Sequence, residues 1–151
     1  MTNKFIEWAR ANGWNIISAD EEISLPESIS KRYEIPAEWY SFINKFRKCE
    51  NSAATVWFLT PDDYLPQDGF QWNEFELQSL EYADPDDDIV SFWDRHLPVV
   101  ISVEDGYSYY AIDTQTGNVV NGYEPEYEDA SVIAEDFDAF ITKIISGEIV
   151  L

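Results

Sequence analysis

The stretch that sets the fold is residues 97–123, LPVVISVEDGYSYYAIDTQTGNVVNGY. It begins with a run rich in β-branched residues, which favours a strand. Asp105-Gly106 is a two-residue hairpin signal, and it predicts a returning strand over residues 107–112. A second short turn, 113–117, leads into a third strand over residues 118–123. Three consecutive strands joined by short turns predict an antiparallel meander.

Helices are predicted ahead of the meander. A short helix ends at Gly13, a second is capped by Ser24 with Glu27 three residues later, and a third opens at Pro36. The third helix is predicted from apolar residues at i, i+3, i+4 and i+7, namely Trp39, Phe42, Ile43 and Phe46. Its solvent side would carry Lys45, Arg47 and Lys48. A strand is predicted over residues 55–59, which are β-branched and aromatic.

A final amphipathic helix is predicted before Gly147. Its apolar face consists of Phe137, Phe140, Ile141, Ile144 and Ile145. Residues 62–82 fit neither the helical nor the strand period cleanly. The sequence therefore predicts one α+β domain over residues 1–151, in which an antiparallel meander packs with N-terminal helices and a C-terminal helix.

Charge is distributed unevenly along the chain. The formal net charge is −21, and residues 1–48 contribute nothing to it because they hold seven bases and seven acids. Residues 49–151 hold twenty-three acids and only two bases, Arg95 and Lys143. A field of this sign steers encounter with a basic partner, and it opposes direct binding to nucleic acid or to an anionic membrane.

Catalytic and cofactor motifs are weak. Cys49 is the only cysteine and is expected to be a small buried hydrophobe, and the single histidine, His96, is expected to be structural. Asp84, Asp86 and Asp88 imitate the opening of a calcium loop. Ile89 then stands where the loop needs glycine, and Arg95 where it needs glutamate. We expect no catalytic residue, no metal site, no cofactor and no enzymatic activity.

Two acidic runs with tyrosines beside them are the candidate partner-binding residues. Carboxylates supply charge, and tyrosine combines apolar area with a hydroxyl that can hydrogen-bond. The acidic candidates are Asp84, Asp86, Asp87, Asp88, Glu124, Glu126, Glu128 and Asp129. The candidate anchors are Tyr107, Tyr109, Tyr123 and Tyr127. Tyr107 and Tyr109 are expected to share one face of the second meander strand and Tyr110 to take the other, and core packing of one of those faces is equally expected.

Three groups of residues together resemble the SMI1/KNR4 family of the SUKH superfamily, over about residues 22–146. The first group is Leu25-Pro26 through Ile35-Pro36 with Trp39, Phe42 and Phe46. The second is Trp93, Leu97-Pro98-Val99-Val100, Asp105-Gly106, Tyr109, Ile112-Asp113, Gly117 and Val119, and the third is Phe137, Phe140 and Ile141. The resemblance implies an α+β fold without a catalytic centre. Many bacterial members are immunity proteins that neutralise polymorphic toxins, often nucleases, whereas fungal members regulate through protein contacts.

These observations favour a non-catalytic immunity protein that binds a basic toxin domain, with a nuclease as one candidate, and occludes its active site. Two alternatives stay open. One is a regulatory protein-interaction module of the same fold, and the other is an acidic DNA mimic that competes for nucleic-acid-binding proteins. The start of the chain lacks a continuous apolar stretch, so we expect a cytoplasmic location.

Overall fold

A computed structural model describes residues 2–82, 84 and 88–151. Within them, one seven-stranded antiparallel sheet runs in sequential order from one edge to the other. Its strands are β1 (Asn15–Ser18), β2 (Phe46–Glu50), β3 (Val56–Phe58), β4 (His96–Ser102), β5 (Ser108–Asp113), β6 (Val119–Tyr123) and β7 (Ser131–Ala134). The helices are α1 (Thr2–Ala11), α2 (Glu27–Arg32), α3 (Ala37–Ile43), α4 (Glu74–Tyr82), α5 (Ile89–Arg95) and α6 (Phe137–Ser146), with a short 3-10 helix at Pro61–Tyr64. The predicted α+β class is confirmed.

The predicted meander forms β4, β5 and β6, and it is the centre of the larger sheet. β5 is aligned so that Val100 of β4 and Asn121 of β6 both lie opposite Tyr110. Gly106 takes a φ of 83° in the first hairpin turn, a left-handed conformation that favours glycine. The strand predicted over 55–59 is also confirmed as β3.

Helices cover both faces of the sheet. On one face, Phe140 of α6 packs 5.2 Å from Tyr110, and Phe5 of α1 packs 5.2 Å from Phe58 of β3. On the other face, Tyr109 contacts Phe75 of α4 and Trp93 of α5. The predicted alternation along β5 is therefore confirmed, because Tyr109 and Tyr110 contact opposite helical layers.

The long helix predicted from Pro36 is wrong in its second half. α3 ends at Ile43, and Phe46 begins β2, which pairs with β1 and β3. Phe46 is buried against Phe5 and Phe42 in either secondary structure, so its apolar character could not distinguish helix from strand. Pairing with β1 decides in favour of a strand.

Other local expectations were wrong for the same kind of reason. Ser24 does not cap α2, which begins at Glu27 with Pro26 in the cap position. Cys49 lies in β2 and is buried as expected. The edge strands β1 and β7 were not anticipated. Each has only four residues, too few to show a clear alternating pattern.

Arg95 and Asp113 form a paired charge where α5 meets the sheet. The Arg95 Nε and Nη2 atoms donate to the two Asp113 oxygens at 2.7 and 2.6 Å, and the Gln115 backbone N–H adds a third bond. Burial alone would raise the pKa of the Asp113 carboxyl. The Arg95 guanidinium and the hydrogen bonds of Gln115 and Thr116 outweigh that effect and hold the pKa at about 2.

Asp113→Asn should remove a pH-dependent part of the folding free energy. Because the folded pKa lies below the unfolded one, the ionised carboxylate stabilises the protein above pH ~4, and this contribution is lost as the pH falls towards about 2. At pH 7 we expect the free energy of unfolding of wild type to exceed that of Asp113→Asn by about 2–3 kcal/mol. This difference should shrink below pH ~4. Urea unfolding of both proteins across this range measures it. The exposed Asp68→Asn is the control, and a difference independent of pH would contradict the assignment.

Tyr109 and Gly122 make a close contact between β5 and β6. The two residues lie opposite each other, and a Cβ added at Gly122 would stand 2.5 Å from the Tyr109 hydroxyl oxygen. Tyr109 is fully buried, and its hydroxyl donates to the Tyr127 carbonyl oxygen. The missing side chain at Gly122 therefore leaves the space that the Tyr109 ring fills.

Gly122→Ala should destabilise the fold by about 1–3 kcal/mol, the usual cost of overpacking a closed core. In a Tyr109→Ala background the same substitution should cost much less, because the clashing ring is gone. Chemical denaturation of the two single variants and the double variant tests this. Additive losses would show that the ring does not require the glycine.

Candidate functional site

The C-terminal half of α4 presents apolar side chains to solvent. Phe75 and Ser79 point into the protein, and the Ser79 hydroxyl donates to the Phe75 carbonyl at 2.7 Å. Leu77 and Leu80 are about half exposed on the outer side, and Tyr82 at the end of the helix is 81% exposed. An exposed apolar group of this kind, next to charged residues, is typical of an interaction surface.

The loop between β6 and β7 is fixed to α4 by Tyr127. Its ring stacks on Phe75 with centroids 4.6 Å apart and an interplanar angle of 11°. Its hydroxyl donates to the Gln78 Oε1 atom at 2.8 Å, while its backbone carbonyl accepts from Tyr109. Burial, with a further contribution from Glu124, raises the pKa of Tyr127 to about 12, so the hydroxyl stays protonated as a donor.

These contacts create a cleft between the end of α4 and the loop. It has a volume of about 320 Å³ and is lined by Gln78, Ser79, Tyr82 and residues 124–128. The cleft brings the acidic residues of the segment 124–128 close to Tyr82. In the sequence, Tyr82 directly precedes the segment that holds Asp84 and Asp88. Both of those carboxylates are exposed. Asp86 and Asp87, also predicted to contribute charge, lie outside the described residues. We call the residues that line this cleft, namely Gln78, Ser79, Tyr82 and residues 124–128, the acidic surface.

The predicted carboxylates of the loop do not all face solvent in the same way. Glu126, Glu128 and Asp129 are exposed. The Glu124 side chain instead lies over the first hairpin turn, where its Oε1 atom accepts from the Tyr107 backbone N–H at 3.1 Å. Glu124 therefore supports the turn as well as carrying charge, and the other three are the freer candidates for partner contact.

Two of the four tyrosines predicted as anchors are buried in the structure, so that part of the prediction is corrected. Tyr109 and Tyr127 are buried, at 0% and 3% exposure, and they hold the loop from inside. Tyr107 is 37% exposed and packs on Phe70 and Phe75. Tyr123 is 64% exposed and remains a candidate anchor. Alternation along β5 indicated that Tyr107 and Tyr109 share a face, but that face is the one covered by α4.

Sequence reasoning missed Tyr82, Leu77 and Leu80. Their helix lies in the segment that fitted neither period, because both its inner and outer sides carry apolar residues. An apolar residue outside a helical or strand pattern was the available signal. It becomes informative only once α4 is placed on the sheet.

The two cations of residues 49–151 are held by other groups. Arg95 is paired with Asp113. Lys143 donates to the Ile133 carbonyl at 2.9 Å and lies 3.9 Å from a Glu148 carboxylate oxygen. Neither lies in the cleft between α4 and the loop. The negative field of the acidic surface therefore extends into solvent over about 8 Å at physiological salt.

The single histidine and cysteine are both packed in the interior. His96 is stacked on Phe92, and its Nδ1–H donates to the Phe92 carbonyl at 2.7 Å. Burial lowers the pKa of His96 and raises that of the Cys49 thiol. In the described part of the chain, no group of three or more His, Cys, Asp or Glu side chains is placed to hold a metal ion. Nor is any helix there long and apolar enough to cross a membrane.

The acidic surface therefore combines an exposed tyrosine, Tyr82, with the carboxylates of the loop and a base formed by the stacked rings of Phe75 and Tyr127. Comparison with known proteins found no matching family model, no similar curated protein and no similar solved structure.

Proposed function

We propose that this protein is a non-catalytic binding domain that captures a basic protein partner on the acidic surface. One observation carries the proposal. The end of α4, with its exposed Tyr82, and the acidic loop 124–128 line a single cleft. An exposed tyrosine beside carboxylates is consistent with the usual composition of a protein interface, in which aromatic side chains anchor and charged residues lie around them.

The sign of the charge supports a basic partner. The exposed carboxylates of Glu126 and Glu128 accelerate encounter with a positively charged surface and repel acidic ones. An isolated carboxylate cluster would be weak support, since solvated acidic loops are common. Here the apolar side chains of Leu77, Leu80 and Tyr82 stand on the adjacent helix.

We propose further that the partner is a toxin domain and that the protein is a cytoplasmic immunity protein of the SMI1/KNR4 type. A nuclease must carry positive charge in its phosphate-binding cleft. An acidic inhibitor can occupy such a cleft and block access to the active site. The resemblance of residues 22–146 to that family supports this narrower version.

Removing carboxylates from the acidic surface should slow association with the captured partner. The partner is first isolated on immobilised protein and identified, and binding kinetics are then measured from low to high salt. Glu126→Gln/Glu128→Gln should lower the association rate and its dependence on salt, and should change dissociation less. Asp20→Asn/Glu21→Gln removes the same charge from an exposed segment near the N-terminus and is the matched control.

The outcomes separate the candidate functions. A single modular protein with a basic domain, inhibited stoichiometrically, supports immunity. Several unrelated nucleic-acid-binding proteins, all released by salt, would favour a DNA mimic, because an immunity protein discriminates between targets. A specific host protein without toxin activity would favour a regulatory module. Equal effects of both variant pairs would contradict a local role for the acidic surface.

Tyr82→Ala should weaken partner binding without weakening the fold. Tyr82 is 81% exposed, so truncating it removes little buried area from the free protein. An anchor of an interface typically costs about 2 kcal/mol or more on truncation, or about thirtyfold in affinity. Titration calorimetry with the purified partner gives the loss. Val150→Ala alters another highly exposed apolar residue and should leave affinity unchanged.

A further inference from the structure

A second cleft lies on the same side of the sheet as α4, between β2, β3 and residues 63–72. Its volume is about 280 Å³. Trp57, Phe70 and Trp72 provide its aromatic surfaces. These rings are packed against other aromatic rings, because Phe70 packs edge-on to Trp57 at 5.7 Å and Trp72 contacts Tyr64 at 5.5 Å. The cleft is therefore formed before any ligand arrives.

A β-bulge directs two consecutive cations into this cleft. In the pairing of β1 with β2, Ile17 lies opposite Lys48 and Ser18 lies opposite Phe46, so Arg47 is an extra residue. Successive residues of a regular strand point to opposite faces, whereas a bulge re-aims one of them. Arg47 and Lys48 both line the cleft as a result.

Both cations keep donors available to a ligand. The side chains of Arg47 and Lys48 are 55% and 49% exposed. Arg47 makes a long 3.3 Å bond from Nη1 to Asp62, and the Lys48 Nζ atom lies 3.7 Å from Glu50, beyond hydrogen-bond distance. A guanidinium has five N–H donors, so most of the Arg47 donors have no such bond to Asp62.

The other polar groups of the cleft wall mainly bond to one another. The Asp63 carboxylate accepts from the Thr60 N–H at 2.8 Å, and the Gln67 side-chain amide donates to it at 3.3 Å. Gln71 donates to the Gly69 carbonyl at 3.1 Å. What remains for a ligand is aromatic surface and two positive side chains. The carboxylates of Glu50, Asp62 and Asp63 outnumber the two cations, so directed hydrogen bonds must supply the attraction.

We propose that this cleft binds a small planar aromatic molecule that carries an anionic substituent, such as a nucleoside monophosphate. The ring stacks against the tryptophan surfaces, and the anion accepts from the Arg47 fork and the Lys48 ammonium. The volume is at the lower end for small-molecule sites, which suits one such unit. A nucleic-acid polymer is excluded, because the net charge of −21 repels a polyanion. This site is separate from the acidic surface.

Titration with AMP, adenosine and inorganic phosphate tests the proposal. The readout is the set of tryptophan indole N–H signals in the NMR spectrum, of which those of Trp57 and Trp72 should move. AMP should bind saturably and at least about tenfold more tightly than either adenosine or phosphate, because each of those lacks one half of the recognition. Equal affinity for AMP and adenosine, or no saturation by AMP below about 10 mM, would overturn the proposal.

Substitutions then locate the binding. Arg47→Gln/Lys48→Gln should weaken AMP about tenfold or more and leave adenosine unchanged, and the fold should persist because exposed ion pairs stabilise little. Lys45→Gln, a nearby exposed cation outside the cleft, is the matched control. Trp57→Leu should weaken both AMP and adenosine. If the double variant and the control have the same affinity for AMP, the anion does not bind at Arg47 and Lys48 and the proposal fails.

Discussion

The Arg32 guanidinium connects three helices, and the position of the acidic surface depends on it. Arg32 lies at the end of α2, donates to Glu76 of α4 with both Nη atoms, and reaches Asp94 of α5 through Nε at 3.0 Å. It also lies 5.1 Å from the Tyr33 ring and 5.8 Å from that of Trp72. Glu76 is nearly buried, and losing one partner of a buried pair typically costs about 3–5 kcal/mol. This contact therefore holds α4 in the orientation that exposes Leu77, Leu80 and Tyr82.

Three of the nine basic residues brace the fold of this acidic protein. Arg32 pairs with Glu76 between α2 and α4, Arg95 pairs with Asp113 where α5 meets the sheet, and Lys143 donates to a backbone carbonyl of the edge strand β7. Mutual repulsion among the remaining carboxylates lowers stability. The same carboxylates produce a negative field outside the protein.

A row of aromatic rings lies beneath both clefts. Trp57 contacts Phe70, Phe70 contacts Phe75, and Phe75 stacks on Tyr127, with centroid separations of 5.7, 5.6 and 4.6 Å. Such packing is rigid because each ring fills space left by its neighbours. It gives the acidic loop a fixed base, so less ordering entropy would be lost on binding of the proposed basic partner.

The sequence by itself determined the meander β4–β6, the helices α1 and α6, and the separation of charge. Each of these follows from a local pattern of apolar, turn or charged residues. Tertiary structure decided that residues 46–50 form a strand, that Tyr109 and Tyr127 are buried, and that Tyr82 lies beside the acidic loop. Local periodicity shows which residues prefer burial, but not which distant segment buries them. That choice depends on strand pairing and on contacts such as Arg32 with Glu76, which join residues far apart in the chain.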